Sequence, residues 1–421
     1  MVEKTVFSNG LRVVTIPQRD TKTVTVLVLV GTGSKYEIKE RGGISHFLEH
    51  MFFKGTKKRP SAVAVTEPID RVGGIFNAFT GEEHTGYFIK LDGAHANVAL
   101  DLVSDIFFNS LLSAAEIQKE KGVVIEELHM HRDIPMSRVQ VLWNKLLYGD
   151  QPAGWDIVGT EESVRGLSRR DLVSYVKSQY VSSNTVVCVA GNVGVDHVVR
   201  KVRSLFGGIR TSDFQQRQKV VERQTSPEAL CEYRETDQTH IALGARGYNL
   251  FHPMRYAQDL LGTILGGMMS SRLFDKVRGK LGLAYYISTS SESNGDTGSL
   301  VTTAGIKNES YVKAIRAIVQ EYQKLKTTLV SKKELQKAKD HEKGMLAITL
   351  EPSDARAFFY GMQELLEKKI LTPEEIYDKI DKVRAQDLRR IAQDIFRPEK
   401  CNLVVLGPHK NQAELMKLLS S

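Results

Sequence analysis

The sequence predicts an α+β protein of two similar α/β half-repeats joined by a polar linker, and three observations carry that prediction. Ser113-Ala114-Ala115-Glu116-Ile117-Gln118-Lys119 returns 218 residues later as Ser331-Lys332-Lys333-Glu334-Leu335-Gln336-Lys337. Ahead of each copy, strands and helices follow one another in the same order. Between the halves, the stretch near 207–228 is polar and includes Gln215-Gln216-Arg217-Gln218-Lys219 and Thr225-Ser226-Pro227. Residues 1–210 are therefore expected to form the N-terminal repeat, 211–227 the linker and 228–421 the C-terminal repeat.

Taken in order, residues 24–31 are β-branched and aliphatic, the signature of a strand, and correspond to 240–247. Residues 44–53 read as an apolar helix matched by 259–269, and 85–91 as a strand matched by 285–289. Residues 97–108 have the spacing of an amphipathic helix, repeated at 312–322. Each Ser-x-x-Glu sequence then opens a further helix as a capping box, with the serine accepting from the third residue and the glutamate reaching back.

Composition narrows the function class. With 421 residues, 41% hydrophobic and 26% charged, the chain is long enough for more than one core and has the balance of a soluble globular protein. No run of eighteen apolar residues exists, and Met1-Val2-Glu3-Lys4 leads directly into a strand-like segment, so a cytoplasmic protein without membrane insertion is expected. The three cysteines, Cys188, Cys231 and Cys401, lie far apart without metal-ligand spacing and read as buried thiols. A net charge of +8 is spread among acidic residues. The densest basic cluster, Lys57-Lys58-Arg59, has no interleaved aromatics, so nucleic acid is not an expected partner.

The chemistry concentrates at His46-Phe47-Leu48-Glu49-His50. On a helix, His46 and His50 lie one turn apart on one face, about 6 Å along the axis, with Glu49 beside them. One divalent cation can then take both rings. Zinc suits neutral imidazole and carboxylate donors, and three protein ligands leave a fourth position for water, whose proton Glu49 can accept. The third ligand is sought on the helix that starts near Ser113. Glu120 and Glu127, seven residues apart, share a face, so either can be a ligand or a supporting group, while Glu126 points about 100° away. At the 218-residue offset His46 falls on Ile264, Glu49 on Gly267, His50 on Met268, Glu120 on Ala338 and Glu127 on Met345, which confines the chemistry to the first half.

His46 to Thr56, Gly73-Gly74-Ile75-Phe76-Asn77-Ala78-Phe79-Thr80 and Val123-Val124-Ile125-Glu126-Glu127-Leu128 together resemble the pitrilysin and insulin-degrading-enzyme family of inverted-motif zinc peptidases. The branch most similar is that of the mitochondrial processing peptidases and their bacterial homologues. Leu265-Gly266-Gly267-Met268-Met269-Ser270-Ser271-Arg272-Leu273-Phe274 extends the likeness into the second half, where helix packing explains the paired glycines better than a nucleotide loop does.

The resemblance implies that each repeat is a mainly antiparallel sheet packed against helices. It implies Glu127 as the third ligand of one Zn²⁺ per chain, and Glu120 as the acid that supports the site. It implies a zinc-dependent endopeptidase in which Glu49 is general base to a metal-activated water. Asn77, Ala78 and Phe79 then belong to a sheet edge that binds extended, unstructured peptide by strand addition, and Arg278 and Tyr285 are directed at the bound peptide. Because the metal set and the Arg/Tyr pair occur in one chain, a homodimer is expected, with a heterodimer with a related chain as the alternative. Glu82, Glu83 and His84 read as exposed strand positions, and His129 and His131 as surface histidines. The rival function is a non-catalytic core-type subunit of a larger assembly.

Overall fold

The computed structural model describes residues 2–410 and 412–419. Two sheets organise it. The first contains β1 (Glu3–Val6), β2 (Arg12–Pro17), β3 (Thr23–Val30), β4 (Ile75–Thr80), β5 (Thr85–Asp92) and β6 (Thr185–Gly191), in the order β1-β2-β6-β3-β5-β4. The second contains β7 (Glu228–Tyr233), β8 (Gln238–Arg246), β9 (Ala284–Ser293), β10 (Gly298–Lys307) and β11 (Cys401–Gly407), in the order β7-β11-β8-β10-β9. Neighbours are antiparallel except β2 with β6 and β7 with β11. Apart from β1, the two orders superpose strand for strand. The α+β fold of two similar halves, each a mainly antiparallel sheet packed against helices, is therefore realised.

Superposing the orders corrects one correspondence. β5 matches β10, and β4 matches β9, so 85–91 is not the counterpart of 285–289. Both segments alternate in polarity, and that periodicity does not distinguish an inner strand from the edge strand beside it. The 218-residue offset carries Thr85 to Thr303, inside β10.

The compact units cross the repeat boundary. One comprises 1–129, 155–218 and 347–371, and the other 130–154, 219–346 and 372–421. The main passage between them, from Gln218 to Lys219, lies within the polar linker. Each unit takes one helical segment from the other half of the sequence, and the strand sequences show why. β3 is buried along nearly its whole length and lacks alternation because both its faces are covered. Val24, Val26, Val28 and Val30 enter a core with helix Ala96–Asn109, while Leu27 and Leu29 pack beneath Ala357 and Tyr360 of helix Ser353–Met362. Gly361 makes that approach possible, since a Cβ there would lie 2.8 Å from Leu29 Cδ1. In the second unit, helix Pro135–Tyr148 sets Val139, Leu142 and Trp143 against Ala242, Val301 and Val404.

The capping-box expectation is met by half. Ser113 Oγ accepts from Glu116 N at 3.2 Å, and Ser331 Oγ from Glu334 N at 3.1 Å. The glutamates turn elsewhere, Glu116 to Lys119 and Glu334 to a two-pronged pair with Arg272, because a nearby cation is a stronger partner for a carboxylate than one backbone N–H. All three cysteines are free thiols, Cys188 buried and the other two half-buried. No helix among the described residues is long and apolar enough to cross a membrane.

Trp143 is fully buried at the centre of the face its helix covers. Trp143→Ala should lower the unfolding free energy by about 3–5 kcal/mol through lost burial and an unfilled cavity. Denaturant unfolding measures this, and a loss below about 1 kcal/mol would mean that the exchanged helix does not seal the sheet.

Candidate metal centre

Helix Ile44–Met51 carries the histidine motif and is two-faced. Ile44, Phe47, Leu48 and Met51 are at most 1% exposed and enter the first unit's core, leaving His46, Glu49 and His50 on the other side. Its start lacks the usual side-chain cap. Gly43 enters the helix at φ 86°, where a Cβ would fall 2.2 Å from the Val158 carbonyl oxygen, so only glycine fits. The cap comes instead from Glu37, whose buried carboxylate accepts from Gly43 N at 2.7 Å and from Ser45 N at 2.8 Å. Burial pushes the Glu37 carboxyl up to about 7, against the pull of those two donors.

Helix Ala114–Asp133 brings the acids. Glu120 is buried, and its two oxygens accept from His50 Nδ1 at 2.9 Å and from Lys54 Nζ at 2.6 Å. With Nδ1 donating to that partner, Nε2 is the His50 nitrogen that a metal would take in place of a proton. Two turns further along, Glu127 places Oε2 at 3.3 Å from His50 Nε2 and Oε1 at 3.6 Å from His46 Nε2. Glu126 points to solvent, its side chain 80% exposed.

These separations discriminate between a hydrogen-bonded cluster and a cation site. A 3.6 Å contact is too long for a hydrogen bond. A tetrahedral ion with ligand arms of 2.0–2.2 Å sets its ligands about 3.3–3.6 Å apart. The donor atoms of His46, His50 and Glu127 all lie within 4.8 Å of one another, so a small closing movement of His46 and His50 completes the triangle. Donor type and spacing both fit a zinc-sized ion, and Glu120 supplies the acid that orients a ligand ring.

The electrostatics agree. Facing the His46 and His50 imidazoles holds the Glu127 carboxyl well below the usual carboxylate range, although partial burial opposes this. Burial would lower His50, but hydrogen bonds to Glu120 and Glu127 outweigh it and push the ring up to about 9. Glu120 is likewise held low by His50 and Lys54 against its burial. The cation-free cluster therefore keeps a proton where a metal would sit.

Glu49 stands beside this set, its Oε2 accepting from Thr80 Oγ1 at 2.7 Å. Thr80 ends β4, one of the two edge strands of the first sheet. Phe76 and Ala78 pack toward the core that holds the motif helix, whereas Phe79 packs on the opposite face against Phe358. Of the three residues expected at the substrate edge, Ala78 therefore faces the motif helix, and Asn77 and Phe79 do not. Gly81 N donates to His84 O at 2.8 Å and closes the β4–β5 hairpin. Bonded and non-bonded pairs alternate from there, which directs the main-chain groups of Phe76, Ala78 and Thr80 to the open edge.

Two further expectations change. Glu82, Glu83 and His84 are not exposed strand positions but a tight turn, and Glu83 is 4% exposed and paired with Lys35 and Arg217. A buried carboxylate needs such cations, and sequence alternation cannot reveal them. Thr80, Lys54 and Glu37 are site neighbours that sequence reasoning missed. Lys54 and Thr80 lay inside the quoted segments, but their contacts with Glu120 and Glu49 are tertiary, and Glu37 lay outside any motif. In the second unit, Arg278 stacks over Phe274 at 4.7 Å, and Tyr285 stands 75% exposed on β9. The wider turn Thr263–Gly267 occupies the positions equivalent to His46 through Glu49, and Gly266 packs so tightly on Thr289 that a Cβ would fall at 2.4 Å.

Comparison with known proteins agrees along the whole chain. Residues 12–161 match the family model described as Insulinase (Peptidase family M16), and residues 166–341 match that of the Peptidase M16 inactive domain. An uncharacterized zinc protease of Bacillus subtilis is 36% identical over 98% of this chain and 99% of its own length. Another, of Mycobacterium bovis, is 33% identical over 99% of this chain and 95% of its own. Among solved structures, a protease from Helicobacter pylori superposes with a TM-score of 0.90 at 25% identity, covering 97% of this chain and 99% of that one. A chain of complex III2 from Candida albicans shares the fold, with a TM-score of 0.86 at 19% identity over the full length of both. By these likenesses, the chain belongs to the insulinase family of peptidases, family M16, in its bacterial branch.

Proposed function

We propose that the protein is a zinc-dependent endopeptidase that cleaves extended, unstructured peptides. The observation that carries this reading is the convergence of His46, His50 and Glu127 at ligand spacing, with Glu49 alongside. The zinc protease names of the relatives support the choice of metal.

His46, His50 and Glu127 would hold one zinc ion per chain, with Glu120 fixing the His50 ring. Zinc, when bound, supplies Lewis acidity that polarises a carbonyl and makes water acidic near neutral pH. Thr80 donates to one oxygen of Glu49 and so steadies the carboxylate, leaving the other oxygen to take the proton of the attacking water. Glu49 then passes that proton to the departing amine. Substrate is positioned along the open edge of β4, where an extended peptide adds as a further strand on the main-chain groups of Phe76, Ala78 and Thr80. Ala78 and Thr80 turn their side chains to the motif helix, so the added strand passes over Glu49. Strand addition reads backbone, which favours unfolded substrates over folded ones.

A non-catalytic assembly subunit is the second reading, favoured by the likeness to a complex III2 chain and by the inactive-domain match. That match covers 166–341, a span that contains none of the metal residues, so it leaves the cluster of His46, His50 and Glu127 unexplained. For Arg278 and Tyr285 we propose contact with peptide bound at the zinc of a second copy in a homodimer, a related partner chain being the alternative.

Glu49→Gln should keep its zinc while kcat falls about 10²–10⁴-fold. Metal analysis together with cleavage of an unstructured peptide tests this, and undiminished turnover would remove Glu49 from the chemistry. His50 carries a raised pKa, so its charged pairing stabilises the metal-free fold fully below about 6.5 and is lost as pH rises through about 9. Chelated protein should therefore lose melting temperature between pH 7 and 9, whereas zinc-loaded protein, in which the ion replaces the proton, should not. Parallel curves for the two forms would contradict the site. Mixing Glu49→Gln with Tyr285→Phe chains should recover part of the activity that each lacks alone. If no mixture recovers any, the trans arrangement is wrong.

A further inference from the structure

The motif helix is fixed unequally along its length. Glu120 orients the His50 ring. His46 has no such partner, because its Nδ1 is buried without a hydrogen bond. Its place rests on the backbone of the first turn. There Glu37 holds the N–H of Gly43 and that of Ser45, the residue immediately before His46. Ser45 Oγ meets the Tyr175 hydroxyl at 2.8 Å, and that hydroxyl meets Thr32 Oγ1 at 2.7 Å. Tyr175 belongs to helix Arg169–Gln179 and Thr32 follows β3, so separate elements converge on this single turn.

Resting on the metal-peptidase reading above, we propose that Glu37 is the positioning residue for His46, holding the first turn of the motif helix in the register the metal requires. The same geometry argues against a purely structural role. Glu37 is buried, and no Lys, Arg or His pairs with it among the described residues, so the groups facing it are Ser45, the Gly43 N–H and the Tyr175 hydroxyl. Its two backbone N–H donors offset only part of the cost of burying a carboxylate that has no cation beside it. Because burial raises the Glu37 pKa to about 7, its stability contribution is present at low pH and lost as pH rises through that value. At pH 8 the group is ionised, and the fold has lost the stability that the protonated carboxyl gave it at low pH.

That sign separates positioning from scaffolding. At pH 8, Glu37→Gln retains one acceptor but turns a donor toward the second N–H. The metal-free variant should melt no lower than wild type, while zinc affinity, measured by competition with a chromophoric chelator, falls about tenfold. In the loaded enzyme, kcat should fall with KM unchanged. Glu37→Asp keeps the charge on a shorter arm and should fall between the two, and it decides the matter if the glutamine variant does not fold. Wild-type zinc affinity and kcat in either variant would overturn the proposal, as would a loss of zinc binding that simply tracks a loss of melting temperature. A wild-type protein that takes up no zinc would overturn the metal reading as well, before any variant is compared.

Discussion

The pairing of Glu120 with His50 and Lys54 is the constraint on which the site depends. A carboxylate buried to this depth must be neutralised, and both of its partners come from the motif helix or the residues just after it. Satisfying that one charge locks helix Ala114–Asp133 against the motif helix in a single register. Glu127, seven residues along, is carried by the same lock to within ligand distance of both rings. The ion pair thus does for a distant carboxylate what sequence proximity does for His46 and His50.

The motif was legible because its geometry is local. Two histidines four apart on a helix need nothing from the rest of the chain to share a face. The choice between Glu120 and Glu127 was not legible from spacing, since a seven-residue interval puts both acids on one side of the helix. Only the packing distance between two helices separates the acid that meets Nδ1 from the one that meets Nε2. Glu37 was invisible for a related reason: a helix whose N-terminus reads Gly42-Gly43-Ile44 shows no cap, and the one it has arrives from outside the helical segment.

The fold divides in the same way. Strand type, helix order and the repeat followed from periodicity and the echoed serine-glutamate sequences, and the sheet orders agree with them. What misled was the edge. β4 and β9 alternate as inner strands do, so periodicity could not say which strand of each hairpin lay outermost. Nor could it say that the continuous apolar run of β3 is covered on one face by residues 353–362. An apolar strand announces that it has two buried faces without naming the segment that buries them. The two halves also show how little a shared scaffold says about chemistry. Equivalent helices sit beside equivalent sheets, but the second has isoleucine and methionine where the first has His46, His50 and Glu127, and a glycine pressed against its sheet.

The helix exchange has a consequence for biosynthesis. During translation the first sheet can be assembled once Gly191 has emerged, but the layer over Leu27 and Leu29 is encoded beyond residue 350. Until then a nascent chain exposes a wide apolar surface, while helix Pro135–Tyr148 waits for a second sheet not yet made. The core between the first sheet and helix Ala96–Asn109 is complete by Ile209, but the sheet's other face stays open until the second half is made. A product truncated before residue 350 would thus carry the histidine motif on a sheet with one face still uncovered.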